Sequence, residues 1–247
     1  MIAEVIVENA TEVRTAQNAG ANRLLLARHI MQGGVSPDLK TIAEVLEASR
    51  VPVYALVRPD LKDYAYGLDR KPRIYKILDA YRRAGIQNIS FGAIEGSMIN
   101  WLLLEEAITY GFNITFNAAF DFTQELSVNY LLLSMYPRVE RVTTRGQAVN
   151  IPDGQAEVKK LVSLNKPHLR VMVEASGFTY ENLPAFLQET GVKEIQFGRT
   201  VRDEHGKLNP ITLAQYVSIM NGKPIQKEKR GLHSGFDISS DVSRYRR

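Results

Sequence analysis

Glu8, Arg58, Asn117, Arg145, Glu174 and Arg199 stand at or near the C-terminal ends of short apolar segments spread along a 247-residue chain. Gathered in one pocket, they would supply two carboxylates, three guanidiniums and an amide. Two carboxylates at close range push one pKa up, which suits an acid–base pair. The plainer reading pairs Glu8 and Glu174 with Arg58, Arg145 or Arg199, because ion pairs are common in clefts. Glu8 also stands where it could cap the helix that follows. Gly177 and Phe178 open a helix, and Gly198 and Arg199 close a strand. Backbone N–H groups at such places can hold a phosphate, although an ordinary helix start fits equally well.

His29 and Met31 share one loop, with His205 in a later one, and such groups can hold a soft metal such as copper. Loop histidines without close spacing are more often plain surface residues. There is no cysteine, which excludes disulfides, thiolate metal sites and cysteine nucleophiles. Neither a P-loop nor a Ser–His–Asp order is readable.

The elements that must position these residues repeat in one pattern: a short apolar strand, an amphipathic stretch, then a glycine. The glycines are Gly20, Gly85, Gly111 and Gly191, placed where a helix ends in the left-handed conformation. Asn9 with Glu12 resembles a capping box, and Ser36-Pro37 reads as a cap followed by proline at the first helical position. Strands are predicted at 3–8, 22–27, 53–58, 88–93, 114–119, 141–145, 170–175 and 194–199. Eight such units predict a single-domain (β/α)8 barrel over residues 1–221, with a doubly wound open sheet as the alternative.

Strand parity favours closure. One face carries Val5, Leu24, Ala55, Ile89, Ile114, Val173 and Phe197, and the other carries Glu4, Arg23, Tyr54, Ser90, Thr115, Thr143, Arg170 and Gln196. Polar faces can meet inside a barrel, whereas helices covering both faces of an open sheet require apolar residues on both. In a barrel the working end lies at the strand C-termini. Glu4, Arg23, Arg141 and Arg170, at strand starts, then read as a charge-paired plug at the other end.

The net charge of +4 resides in residues 222–247, which hold seven basic and three acidic side chains. The body is therefore neutral, and the tail lacks the charge runs of a nucleic-acid arm. No apolar run is long enough to cross a membrane and no secretory leader is readable, so a cytoplasmic protein is expected. The tail is a candidate homodimer contact.

The motif order resembles the CutC family, associated with copper homeostasis, over roughly residues 1–200. It runs Glu4-Val5-Ile6-Val7-Glu8-Asn9, Ala19-Gly20-Ala21-Asn22-Arg23, Gly33-Gly34-Val35-Ser36-Pro37, Val57-Arg58-Pro59, Asp63-Tyr64-Ala65-Tyr66, Phe91-Gly92-Ala93 and Thr115-Phe116-Asn117-Ala118-Ala119-Phe120-Asp121. The resemblance implies a barrel and keeps Arg58, Asp63, Tyr66 and Asp121 as site candidates. The family commonly has cysteine where Ile6 and Ala27 stand, glutamate at Leu25, His-Arg at Asn117-Ala118 and histidine near Gln196. Three functions are then expected in competition: copper handling through His29 and Met31, binding or turnover of a small anionic (phosphorylated) metabolite, and a non-catalytic member with a decayed pocket.

Overall fold

The computed structural model describes residues 1–164 and 166–223. Its strands are β1 (Ile2–Val7), β2 (Arg23–Leu26), β3 (Val53–Leu56), β4 (Asn88–Phe91), β5 (Ile94–Glu95), β6 (Met98–Ile99), β7 (Asn113–Phe116), β8 (Val139–Thr144), β9 (Arg170–Glu174) and β10 (Glu194–Phe197). All but β5 and β6 are parallel and close into a barrel in chain order, with β10 returning to β1. Helices α1 (Ala10–Asn18), α2 (Leu39–Ala48), α3 (Lys71–Arg83), α4 (Trp101–Thr109), α5 (Leu126–Leu133), α6 (Gln155–Ser163), α7 (Asn182–Thr190) and α8 (Pro210–Met220) surround it. The predicted (β/α)8 barrel is what forms. None of these helices is long and apolar enough to cross a membrane. Residues 224–247, and with them the homodimer contact expected of the tail, lie outside the described residues.

The outward strand face behaves as parity predicts: Val5, Leu24, Ala55, Ile89, Ile114, Val173 and Phe197 are fully buried against the helices. Two local readings change. Ser36 is not the cap of α2; Asp38 is, accepting from Thr41 N at 2.9 Å. Ser36 Oγ instead lies 2.8 Å from Arg58 N and 3.0 Å from Arg58 O, tying two loops together. The hairpin β5–β6 interrupts the fourth unit around Gly96-Ser97, with Gly96 at φ 61°.

The strand-start charges form the expected plug, with different members. Arg23 lies 2.5 Å from Glu4 and 2.6 Å from Glu194, and Arg141 lies 3.3 Å from Glu194 and from Glu140. A register shift between β7 and β8, at Ile114/Thr115, accompanies the entry of consecutive Glu140 and Arg141 into this network. Both guanidiniums lie over the Tyr54 ring, Arg23 at 5.8 Å and Arg141 at 4.8 Å from its centroid, and Tyr54 donates to Glu140 at 2.6 Å. Burial pushes its phenol up to about 12. For Arg23 burial favours the neutral form, but Glu4 and Glu194 outweigh it and raise the pKa. Arg170 is exposed and takes no part: Met172, two residues on along its strand, is the β9 side chain that meets Arg23.

Candidate functional site

Above the plug, the barrel opens at the strand C-termini into a cavity of about 430 Å³. Its wall is divided. On the β1–β3 side it is apolar, lined by Ile6, Leu25, Ala27, Ile30 and Leu56, which pack on one another and on Tyr54. On the β4–β9 side it is polar, with Ser90, Asn117, Thr143, Arg145 and Glu174, joined by Gln196 from β10. The interior is therefore not uniformly polar, as a parity count of charged residues suggested.

The predicted site residues divide by what holds them. Arg58 lines the cavity, but its guanidinium is spent on loop carbonyls: Nη1 donates to Gly33 O at 2.8 Å and Nη2 to Lys62 O at 2.6 Å, while the group lies 4.7 Å from the Tyr64 ring centroid. It is a clamp between the loops after β2 and β3. Glu8 is not in the cavity wall; its Oε1 accepts from Ile30 N at 3.2 Å, so it holds the turn after β2. The two carboxylates of the proposed acid–base pair are thus not brought together as cavity groups. Asp121 also serves the backbone, accepting from Arg145 N at 2.7 Å and from Gln147 N at 3.2 Å, with Thr144 Oγ1 as a further donor. Burial raises its pKa against those hydrogen bonds.

Glu174 does face the cavity, with Oε2 3.4 Å from Arg145 Nε. Burial raises its pKa; Arg145 and Arg199 oppose the rise and Asp121 adds to it. The loop that presents Arg145 depends on close glycine packing. A Cβ on Gly154 would lie 1.8 Å from Arg145 O, and one on Gly146, at φ 65°, would lie 2.4 Å from Gly154 O. Arg199 is exposed at the cavity mouth and its guanidinium has no hydrogen-bond or ion-pair partner among the described residues. Gly198 lines the mouth beside it. Gly177 and Phe178 do not: Gly177 packs on Asn150, and Phe178 is buried against Phe186 while its carbonyl accepts from Tyr216. The phosphate cradle expected at 177–178 is therefore turned away from the cavity.

Asn117 is held in one orientation. Its Oδ1 accepts from Ala119 N at 3.0 Å, and Gly92 makes room for it, because a Cβ there would lie 2.5 Å from that oxygen. Ser90, Thr143, Tyr64 and Gln196 are cavity residues that sequence reasoning did not single out. Ser90, Thr143 and Gln196 stood on the inward face by parity, which was the available signal. Arg202 was also missed. It ties the loop after β10 to Glu12 at 2.7 and 2.8 Å and to Ile6 O at 2.9 Å.

The CutC family profile matches residues 1–200. The chain belongs to the CutC family. A CutC family protein of Pasteurella multocida (strain Pm70) is 30% identical over 195 residues, covering 78% of this chain and 79% of that one. A CutC family protein of Aliivibrio fischeri (strain MJ11) is 28% identical, covering 83% and 85%. Among solved structures, a CutC protein from Streptococcus agalactiae, described as a candidate copper homeostasis protein, superimposes with a TM-score of 0.72 at 21% identity, covering 80% of this chain and 98% of that one. Phosphoribosyl anthranilate isomerase from Thermococcus kodakaraensis, at TM-score 0.60 and 15% identity over 90% and 99% of the two chains, shares the barrel alone.

The donor set of this CutC chain does not fit a copper ion. Cu(I) is held by thiolates and thioethers, with imidazole as a harder partner. The positions where CutC proteins commonly carry cysteine or glutamate are here Ile6, Leu25 and Ala27, which form the apolar wall. His29 is exposed, with its backbone left-handed at φ 57°, and is not in the cavity wall. Met31 lines the mouth and is 45% exposed, and His205 is exposed beside Glu204. No group of three His, Asp or Glu side chains that could hold a metal occurs among the described residues.

Proposed function

We propose that this CutC-family barrel binds a small organic anion in its C-terminal cavity and does not hold copper there. The carrying observation is the guanidinium of Arg199, unpaired among the described residues, at the mouth of a cavity also lined by Arg145, which Glu174 only partly neutralises. With Arg58, three cations and one carboxylate line the same space. The opposite wall of Ile6, Leu25 and Leu56 offers contact only to hydrocarbon, so an inorganic ion would leave it unfilled. Cavities of a few hundred Å³, apolar with a few convergent polar groups, are the usual form of small-molecule sites.

Calorimetric titration with pentanoate tests the reading. Saturable binding is expected, weakened several-fold in Arg199→Ala; no saturation by this or any other short-chain carboxylic acid, or no change in that variant, would refute it. The copper role in the family's description is tested separately by competing Cu(I) from a chromophoric chelator under reducing conditions. The wild type is expected to compete no better than a His29→Ala/Met31→Ala variant. Tight Cu(I) binding that this double variant loses would overturn the proposal in favour of copper handling.

A further inference from the structure

Three side chains on the polar wall have no hydrogen-bond partner among the described residues: Ser90 Oγ, Asn117 Nδ2 and Thr143 Oγ1. The residues are 1%, 6% and 1% exposed, and all three line the cavity. Buried polar groups are nearly always paired, so three orphans on successive barrel strands and their ends require an explanation. They are also neighbours. Ser90 pairs with Thr115 across β4–β7, and Phe116 pairs with Val142 across β7–β8, so Asn117 and Thr143 follow side by side just above.

Their chemistry has a definite sign. Asn117 Oδ1 is already engaged by Ala119 N, so the group it leaves unpaired is an amide N–H donor. The two hydroxyls can each donate as well. A cation is repelled by such a donor, and a hydrocarbon leaves all three unpaired. We infer that Ser90, Asn117 and Thr143 form a subsite for a carbonyl or hydroxyl oxygen, so that the ligand is a small oxo- or hydroxy-acid. Its carboxylate meets Arg199 and Arg145 at the mouth, its second oxygen meets the three donors, and its carbon chain lies on Ile6, Leu25 and Leu56. This rests on the anion-binding reading above and adds the ligand class to it.

Matched acids separate the two ideas: pentanoate against 4-oxopentanoate, and hexanoate against 5-oxohexanoate, two spans that differ by one methylene. Each pair differs only in the second oxygen. In at least one pair the oxo-acid is expected to bind about tenfold tighter, equivalent to ~1.4 kcal/mol. Thr143→Val and Ser90→Ala should each shrink that ratio several-fold, since each removes a hydroxyl that contacts the second oxygen. Equal affinity within both pairs in the wild type overturns the subsite and leaves the anion site standing. A preference that survives both substitutions also overturns it. If neither acid of either pair binds, the anion site itself fails and the subsite falls with it.

Discussion

Thr143→Val should make the free protein more stable, although it alters a polar residue in the site. Thr143 is 1% exposed and its Oγ1 has no partner among the described residues. Leaving a buried donor unsatisfied costs about 1–3 kcal/mol. Valine keeps the branched shape and replaces the hydroxyl with a methyl group on the cavity wall. The methyl avoids that penalty, so a gain of about 1–2 kcal/mol is expected. For a chain of this size each kcal/mol moves the melting temperature by about 2–4 °C, so the shift is roughly +2 to +8 °C. Scanning calorimetry reads the shift, and urea unfolding checks that the denaturant slope is unchanged. A loss of 1 kcal/mol or more would refute the reasoning, because it would mean the hydroxyl already has a partner in the free protein. At saturating oxo-acid the advantage should narrow, since ligand stabilises the native state in proportion to its affinity and the variant binds less tightly.

Glu194→Ala should lower stability by about 3–5 kcal/mol, because it strips the carboxylate shared by Arg23 and Arg141 and leaves buried guanidiniums short of a partner; the urea midpoint measures this. Gly92→Ala should displace Asn117, since its Cβ would meet Oδ1 at 2.5 Å, and the oxo-acid preference should fall with it in the same titrations. Burial, with Asp121 adding, holds the Glu174 carboxyl above its usual 4.5 against Arg145 and Arg199. Its protonation frees Arg145, so anion affinity should strengthen as pH falls from 8 through that raised pKa. The stability contribution has the same sign: a carboxyl with a raised pKa favours the fold fully below its unfolded pKa and loses that contribution as pH rises through the folded one. Glu174→Gln should flatten the pH dependence of anion binding; an unaltered slope would assign it to another group.

The barrel was legible because side-chain parity is a local property: Val5, Leu24 and Ile89 face the helices for the same reason that Glu4, Arg23 and Ser90 do not. The same parity puts Ile6, Leu25 and Leu56 inside. Hydropathy hides them, since an apolar residue in an apolar strand carries no mark of which layer it fills. Arg58, Asn117 and Glu174 were found from their places at strand ends, but their roles were not. Arg58 spends its guanidinium on carbonyls of loops up to 25 residues away, and the partner of Arg202 is 190 residues distant. No spacing rule reaches across such distances. Arg170 was misplaced for a different reason: it shares the inward parity, but Met172, two residues on, is the β9 residue level with Glu194 and Arg23 in the plug. The Gly96-Ser97 hairpin had a turn signature, but strands of two residues are too short to show a period.

The charge network at the strand starts has a kinetic consequence. Five charged side chains and Tyr54 fill that end of the barrel, so traffic is confined to one doorway. Among the described residues, a ligand of the kind proposed would enter and leave past the strand C-termini. Any second reactant must arrive before the first, share the mouth with it, or wait for its departure. For the ligand proposed above, exchange would pass the loops after β2, β3 and β10, which bring Met31, Tyr64 and Arg199 to the cavity wall.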